Sequence, residues 1–309
     1  MIAAFAPGSV SNVCCGFDAL GFALEAPGDL VLVEAAEEPG VVIASISGDD
    51  GRLPHDPRRN TASVAVTALL ARLGAARGIR ISIEKGLALA SGMGSSGASA
   101  VAAVVAANEL LGRPAPLGVL LECAMEGEIV ACGAAHPDNV APSLYGGLVL
   151  ARSAQPPDIV PLPVPDGLSC ALLHPHLEVQ TGAARALLGD TISLRDGVRQ
   201  WANMGALVAG LFRGDLELIG RALEDHVAEP RRAQLVPGFA DVQRAARDAG
   251  ALGCSLSGSG PSIFAICATR ALAESAGVAM HTAFTSVTNV SADLWVSAVA
   301  TPGARLVSR

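Results

Sequence analysis

The chain has 309 residues, 51% of them hydrophobic, 16% charged and 3% aromatic, with a formal net charge of −8 and seven cysteines. That length and apolar share suffice for two domains with sizeable cores, while the acidic balance and the scarcity of aromatic rings exclude a broad nucleic-acid face. No uncharged run stays apolar long enough to read as a membrane span, no Lys or Arg precedes Arg52 to make a leader region, and the cysteines are odd in number without a CxxC pair, so a cytoplasmic chain with reduced, buried thiols is expected.

In chain order, β-rich runs at 2–5, 29–35, 41–46 and 79–84 and helical patterns at 61–73, 98–111 and 117–132 predict an α+β first half. Pro156, Pro157, Pro161, Pro163 and Pro165 can neither continue a helix nor fill a central strand, which places a domain boundary between 154 and 155. Beyond it, a strand-like 168–173, helical patterns at 181–188, 194–212, 216–227 and 239–249, and apolar runs at 262–268 and 294–299 predict a second α+β half, 155–309. Lys85 is the sole lysine, so nearly all positive charge is arginine, suited to planar recognition of carboxylates and phosphates. His174 and His176 lack a third metal ligand nearby in sequence and read as structural.

The run at 79–84 leads into GLALASGMGSSGASA, Gly86 to Ala100. Gly92, Gly94 and Gly97 let the backbone approach an anion, and a helix opening near Ser95 aims unpaired N–H groups at it, so a nucleotide is the first ligand to consider. GMGSSG also satisfies the GxGxxG spacing of a dinucleotide fold, but the next segment is helical, with Glu122, Glu126 and Glu128, where that fold needs a strand followed by an acid. A Walker A loop is excluded because no GKS or GKT follows. A plain strand-to-helix turn remains the alternative.

Three separated segments, PGSVSNVCCGFD (Pro7 to Asp18), ASGMGSSGAS (Ala90 to Ser99) and SLSGSGPSIFA (Ser255 to Ala265), together resemble the three motifs of the GHMP small-molecule kinases. With AHPDNVAP at 135–142 the resemblance is closer still to the homoserine kinase branch. It implies a two-domain α+β fold: an N-terminal ATP-binding domain (1–154) like ribosomal protein S5 domain 2, then a ferredoxin-like C-terminal domain (155–309). The implied ligands are ATP, Mg²⁺ and L-homoserine, and the implied assembly is a homodimer. Ser91, Gly92, Met93, Gly94, Ser95 and Ser96 match the phosphate loop, Ser96 and Glu128 the Mg²⁺ ligands, and Asn60 and Lys85 the adenine side. Asp18 matches the ammonium site and Arg185 and Arg232 the carboxylate site. Asn12 and Asn139 match the hydroxyl end, with His136 and Thr181 close by, and the third motif is expected to close over the phosphates.

Where several GHMP kinases carry an aspartate base and a lysine, the matching positions here are Asn139 and a lysine-free first motif. An amide cannot accept the alcohol's proton, so no protein base is expected, and Asn139 is assigned to orienting the nucleophile, with Asp138 as the alternative. The first motif also departs from the usual SANLGPGFD, placing Cys14 at a glycine position and Cys15 beside it. Three readings stay open beside this one: a GHMP kinase for another small alcohol, a non-catalytic ligand-binding relative, and an NAD-dependent oxidoreductase using GMGSSG.

Overall fold

The computed structural model describes residues 1–308. Among these residues the strands form two sheets. The first joins β1 (Ile2–Ser11), β2 (Leu20–Ala36), β3 (Gly40–Ser47), β4 (Gly78–Glu84), β5 (Leu148–Ala154), β6 (Pro157–Leu162) and β11 (Arg305–Val307). The second is four-stranded, with β7 (Ser169–Pro175), β8 (Gly253–Leu256), β9 (Ile263–Cys267) and β10 (Ala292–Ala298) in the order β10-β7-β9-β8. Four helices belong with the first sheet: α1 (Thr61–Leu73), α2 (Ser95–Leu110), α3 (Leu117–Cys132) and α4 (Pro137–Tyr145). Six follow in the second half: α5 (Thr181–Ala186), α6 (Leu194–Arg213), α7 (Leu216–Ala222), α8 (Glu229–Arg232), α9 (Phe239–Asp248) and α10 (Arg270–Val287). No helix of the described residues is long and apolar enough to cross a membrane.

The sheet order β11-β1-β2-β4-β3, with the β5-β6 hairpin branching from β2, corrects the expected boundary. Residues 155 and 156 turn the hairpin and β6 is an edge strand, where Pro157 and Pro161 remove no ladder bond from a central position. The chain therefore leaves the first sheet only after Leu162, and β11 returns to it by pairing with β1. The predicted helix over 216–227 stops at Ala222 because Asp225 turns the chain, accepting the N–H groups of Val227, Ala228 and Glu229.

What positions the site is α2. Its Ala side chains and Val101 and Val104 are buried, as expected of a helix wedged inside a core, with α1 and α3 beside it and β1 and β2 beneath. Small residues let these helices approach closely: a Cβ at Gly127 of α3 would stand 2.5 Å from the Thr61 carbonyl of α1. Only the N-terminal end of α2 opens on a cavity.

Candidate active site

A cavity of about 650 Å³ lies between the two halves and is bordered by residues of both. At one end the chain leaves β4 and turns through left-handed Gly92 (φ 77°) and Gly94 (φ 66°) into α2. Neither position tolerates a side chain. A Cβ at Gly92 would stand 2.4 Å from the Ser257 carbonyl, and one at Gly94 the same 2.4 Å from Ser9 Oγ. Gly94 is also the N-cap and makes no side-chain cap bond, so the positive end of the helix is what this turn offers an anion.

The third motif borders the cavity through Gly258 and Ser259 and also holds this loop. Ser257 Oγ donates to the Gly92 carbonyl at 2.6 Å and Ser262 Oγ to the Ser91 carbonyl at 2.7 Å. Both carbonyls thus turn toward the second domain, while within the loop the Met93 amide donates to Ser91 Oγ at 3.4 Å. Ser262 spends its proton on Ser91, so at 3.1 Å His174 Nδ1 is the donor to Ser262 Oγ. Burial pushes His174 down to about 4, which keeps it a neutral strut. Its neighbour His176 bonds Asp293 and Ser291, and the described residues contain no group of three or more His, Cys, Asp or Glu placed to hold a metal.

Lys85 lines the cavity, but its ammonium is buried against Asp29, with side-chain exposures of 1% and 0%. The same Nζ donates to the Ser95 carbonyl at 2.9 Å and to Ser99 Oγ at 3.0 Å, while Ser99 Oγ donates to Asp29 at 2.6 Å. Asp29 also accepts the Gly86 and Leu87 amides. The pair thus ties both ends of the phosphate loop to β2. Asn60 borders the cavity too, yet its amide caps α1 by accepting from Ala62 N and donates to the Pro54 carbonyl. Met93 is a core residue, so only its backbone belongs to the loop. The carboxylate of Glu128, 3% exposed on α3, faces the first turn of α2: a Cβ at Gly97 would lie 3.8 Å from Oε2. Ser96 stands in that turn.

At the other end the first motif folds into a tight loop in which Asn12, Val13, Cys14 and Asp18 all have positive φ (70°, 40°, 58° and 54°), a conformation that costs L-residues energy and gathers at functional sites. Asn12 braces it, accepting from Asp18 N at 3.0 Å and donating to the Gly258 carbonyl at 2.9 Å. Both ends of that amide are engaged, so Asn12 serves as a brace. Arg185 donates to both oxygens of Asp18, at 2.7 and 2.8 Å. Arg232 is buried and donates to the carbonyls of Ala184 and Gly258. His136, Thr181 and Asn139 border the space between these groups and the phosphate loop, and Asn139 Oδ1 would stand 3.3 Å from a Cβ at Gly94.

Sequence reading left Asp138 as a mere alternative, yet it is buried within this site. Desolvation, and then the Asp18 charge, push its carboxyl up to about 7 from an ordinary 3.8. A carboxyl raised in the folded state holds its proton more tightly there than in the unfolded chain, so its contribution to stability is full below 3.8 and is lost as pH climbs through about 7. His136, pushed down by its own burial, acts in the opposite direction. Asp138→Asn is therefore expected to flatten the loss of melting temperature between about pH 4 and pH 7 relative to the unchanged protein; parallel profiles would remove Asp138 as its source. Arg52 was also missed. It borders the cavity and donates to Glu178, Nη2 to Oε2 at 2.8 Å. Pairs so far apart in sequence leave no local signal.

Residues 60–147 match the family of the GHMP kinases N terminal domain, and residues 207–286 that of the GHMP kinases C terminal. The chain is 51% identical to a homoserine kinase of Chloroherpeton thalassium, covering 99% of both, and 43% identical to one of Xanthomonas campestris, covering 99% of this chain and 94% of the relative. A crystal structure of homoserine kinase from Cytophaga hutchinsonii superposes with a TM-score of 0.96 at 52% identity, covering 99% of this chain and 97% of the other. The chain therefore belongs to the GHMP kinases and, among them, to the homoserine kinases.

Proposed function

We propose that the chain transfers the γ-phosphoryl group of ATP to the side-chain hydroxyl of L-homoserine, giving O-phospho-L-homoserine for threonine biosynthesis in the cytoplasm, as a homodimer. The observation that carries this reading is one cavity with an anion-binding helix end at one side and Asp18, Arg185 and Arg232 at the other. A zwitterion suits that second end. Its ammonium takes Asp18 and its carboxylate takes Arg185 and Arg232, so that one ion pair inside the protein is exchanged for two with the substrate.

The hydroxyl of an amino acid held there points toward Asn139 and the loop, which sets up in-line attack. Phosphoryl transfer asks little covalent chemistry of the protein, and positioning with charge stabilisation carries most of it. The loop amides and the α2 N-terminus supply the fixed positive field. Ser96 and Glu128 offer a hydroxyl and a carboxylate, the hard oxygen donors that suit Mg²⁺. The bound ion would neutralise phosphate charge. Asn139 orients the alcohol, whose proton passes to a phosphate oxygen.

The test is ADP release with ATP and Mg²⁺, comparing L-homoserine with L-threonine, shikimate and mevalonate. Turnover confined to L-homoserine is expected; turnover with shikimate or mevalonate instead, carboxylates without an ammonium, would discard the zwitterion site and keep the phosphate loop. Asn139→Ala is expected to lower kcat by about 10²-fold, the cost of a misplaced nucleophile, with KM for ATP unchanged. Unchanged turnover would take Asn139 out of the mechanism.

A further inference from the structure

Phe17 is half-buried in the first-motif loop and nothing in the chemistry above uses it, yet both carboxylate-binding arginines rest on its ring. Arg185 Cζ lies 5.5 Å and Arg232 Cζ 5.3 Å from the ring centroid, inside the roughly 6 Å range of a cation–π contact. The two cations repel each other: burial, and then the charge of Arg185, push the Arg232 guanidinium down. A shared ring with a negative face is what lets them converge.

Resting on the proposed substrate, we infer that Phe17 is the positioning residue for carboxylate recognition, holding the Arg185 guanidinium beside Arg232 when the substrate arrives. The reason lies in what Arg185 loses. Among the described residues its side chain donates hydrogen bonds to Asp18 alone, whereas Arg232 keeps two carbonyls. An incoming ammonium competes for Asp18. Once it is engaged, the face of Phe17 is the remaining contact that keeps Arg185 from swinging into solvent, and the strained loop at Asp18 (φ 54°) fixes that face relative to the carboxylate it must give up.

Phe17→Leu keeps an apolar side chain and removes the ring, while Phe17→Tyr keeps the ring. With L-homoserine, Phe17→Leu is expected to raise KM about tenfold while kcat and KM for ATP stay within about twofold, and Phe17→Tyr is expected to restore KM. 3-Aminopropan-1-ol has the same amine and hydroxyl without the carboxylate, and its kcat/KM is expected to be equal in the unchanged protein and Phe17→Leu. Equal losses on both substrates, a KM that Tyr does not restore, or an unchanged KM would each overturn the inference. Failure of the unchanged protein to phosphorylate L-homoserine would sink the substrate reading alone. A crystal structure of Phe17→Leu with 3-aminopropan-1-ol bound, its amine on Asp18 and no carboxylate to hold Arg185, then decides the role of Phe17, with a displaced Arg185 guanidinium supporting it and one left over the position of the ring overturning it.

Discussion

Replacing Lys85 with methionine is expected to lower the free energy of unfolding by about 3–5 kcal/mol, the cost of stranding a buried charge. Asp29 is fully enclosed, and the ammonium of Lys85 is its only ion-pair partner among the described residues. The two amides and the Ser99 hydroxyl that also reach Asp29 soften the loss without cancelling a charge. In a chain of this size a change of that order corresponds to a drop of roughly 10 °C in melting temperature. Combining Lys85→Met with Asp29→Asn removes the charge as well as its partner, so the double variant should recover much of the loss, because an intact buried pair is worth far less than the penalty for breaking it. KM for ATP should also rise in the single variant, since Nζ holds the carbonyl of Ser95, the first residue of α2. A single variant melting within about 1 °C of the unchanged protein would mean that the pair is not held as a buried couple.

That pair also shows which part of the molecule could be read from sequence. α1 and α3 occupy the predicted 61–73 and 117–132; α1 announces its ends locally, with Asn60 as N-cap and Gly74 as left-handed C-cap. α2 begins at Ser95, where the loop reading opens it and three residues ahead of the apolar pattern at 98–111, because Ser, Ser and Gly are weak helix formers held in place by the surrounding core. The whole of α10 went unread. Its buried stripe of Ala273, Ala276, Gly277, Met280 and Phe284 has helical spacing but mostly small residues, which raise little hydrophobic contrast. β6 was hidden by its prolines, which an edge strand accommodates. In the site, motif types and order were legible as a family resemblance, and the matched families bear out that resemblance. Partnerships were not: Lys85 and Asp29 are 56 positions apart, and Arg185 and Asp18 are 167 apart. Lys85 thus read as an adenine contact, and Asp18 and Arg185 as separate ligand groups when they pair with each other.

Glu128→Gln is expected to reduce kcat by about 10²–10³-fold, the usual cost of deleting one preorganised electrostatic group at a reacting centre. The amide matches the carboxylate in shape, so the surroundings of α3 need not repack, and burial of a neutral group in place of a charged one should leave the melting temperature unchanged or higher. What the substitution takes away is the carboxylate that α3 sets against the first turn of α2, the turn that contains Ser96. If that charge holds Mg²⁺, the concentration of the ion needed for half-maximal rate should rise together with the fall in kcat, while binding of ATP without Mg²⁺ should stay unchanged, because the loop amides and the helix end remain. If Glu128 only packs α3 against α2, the Gln variant should turn over within about threefold of the unchanged protein with the same Mg²⁺ dependence, and the carboxylate would have no part in the transfer.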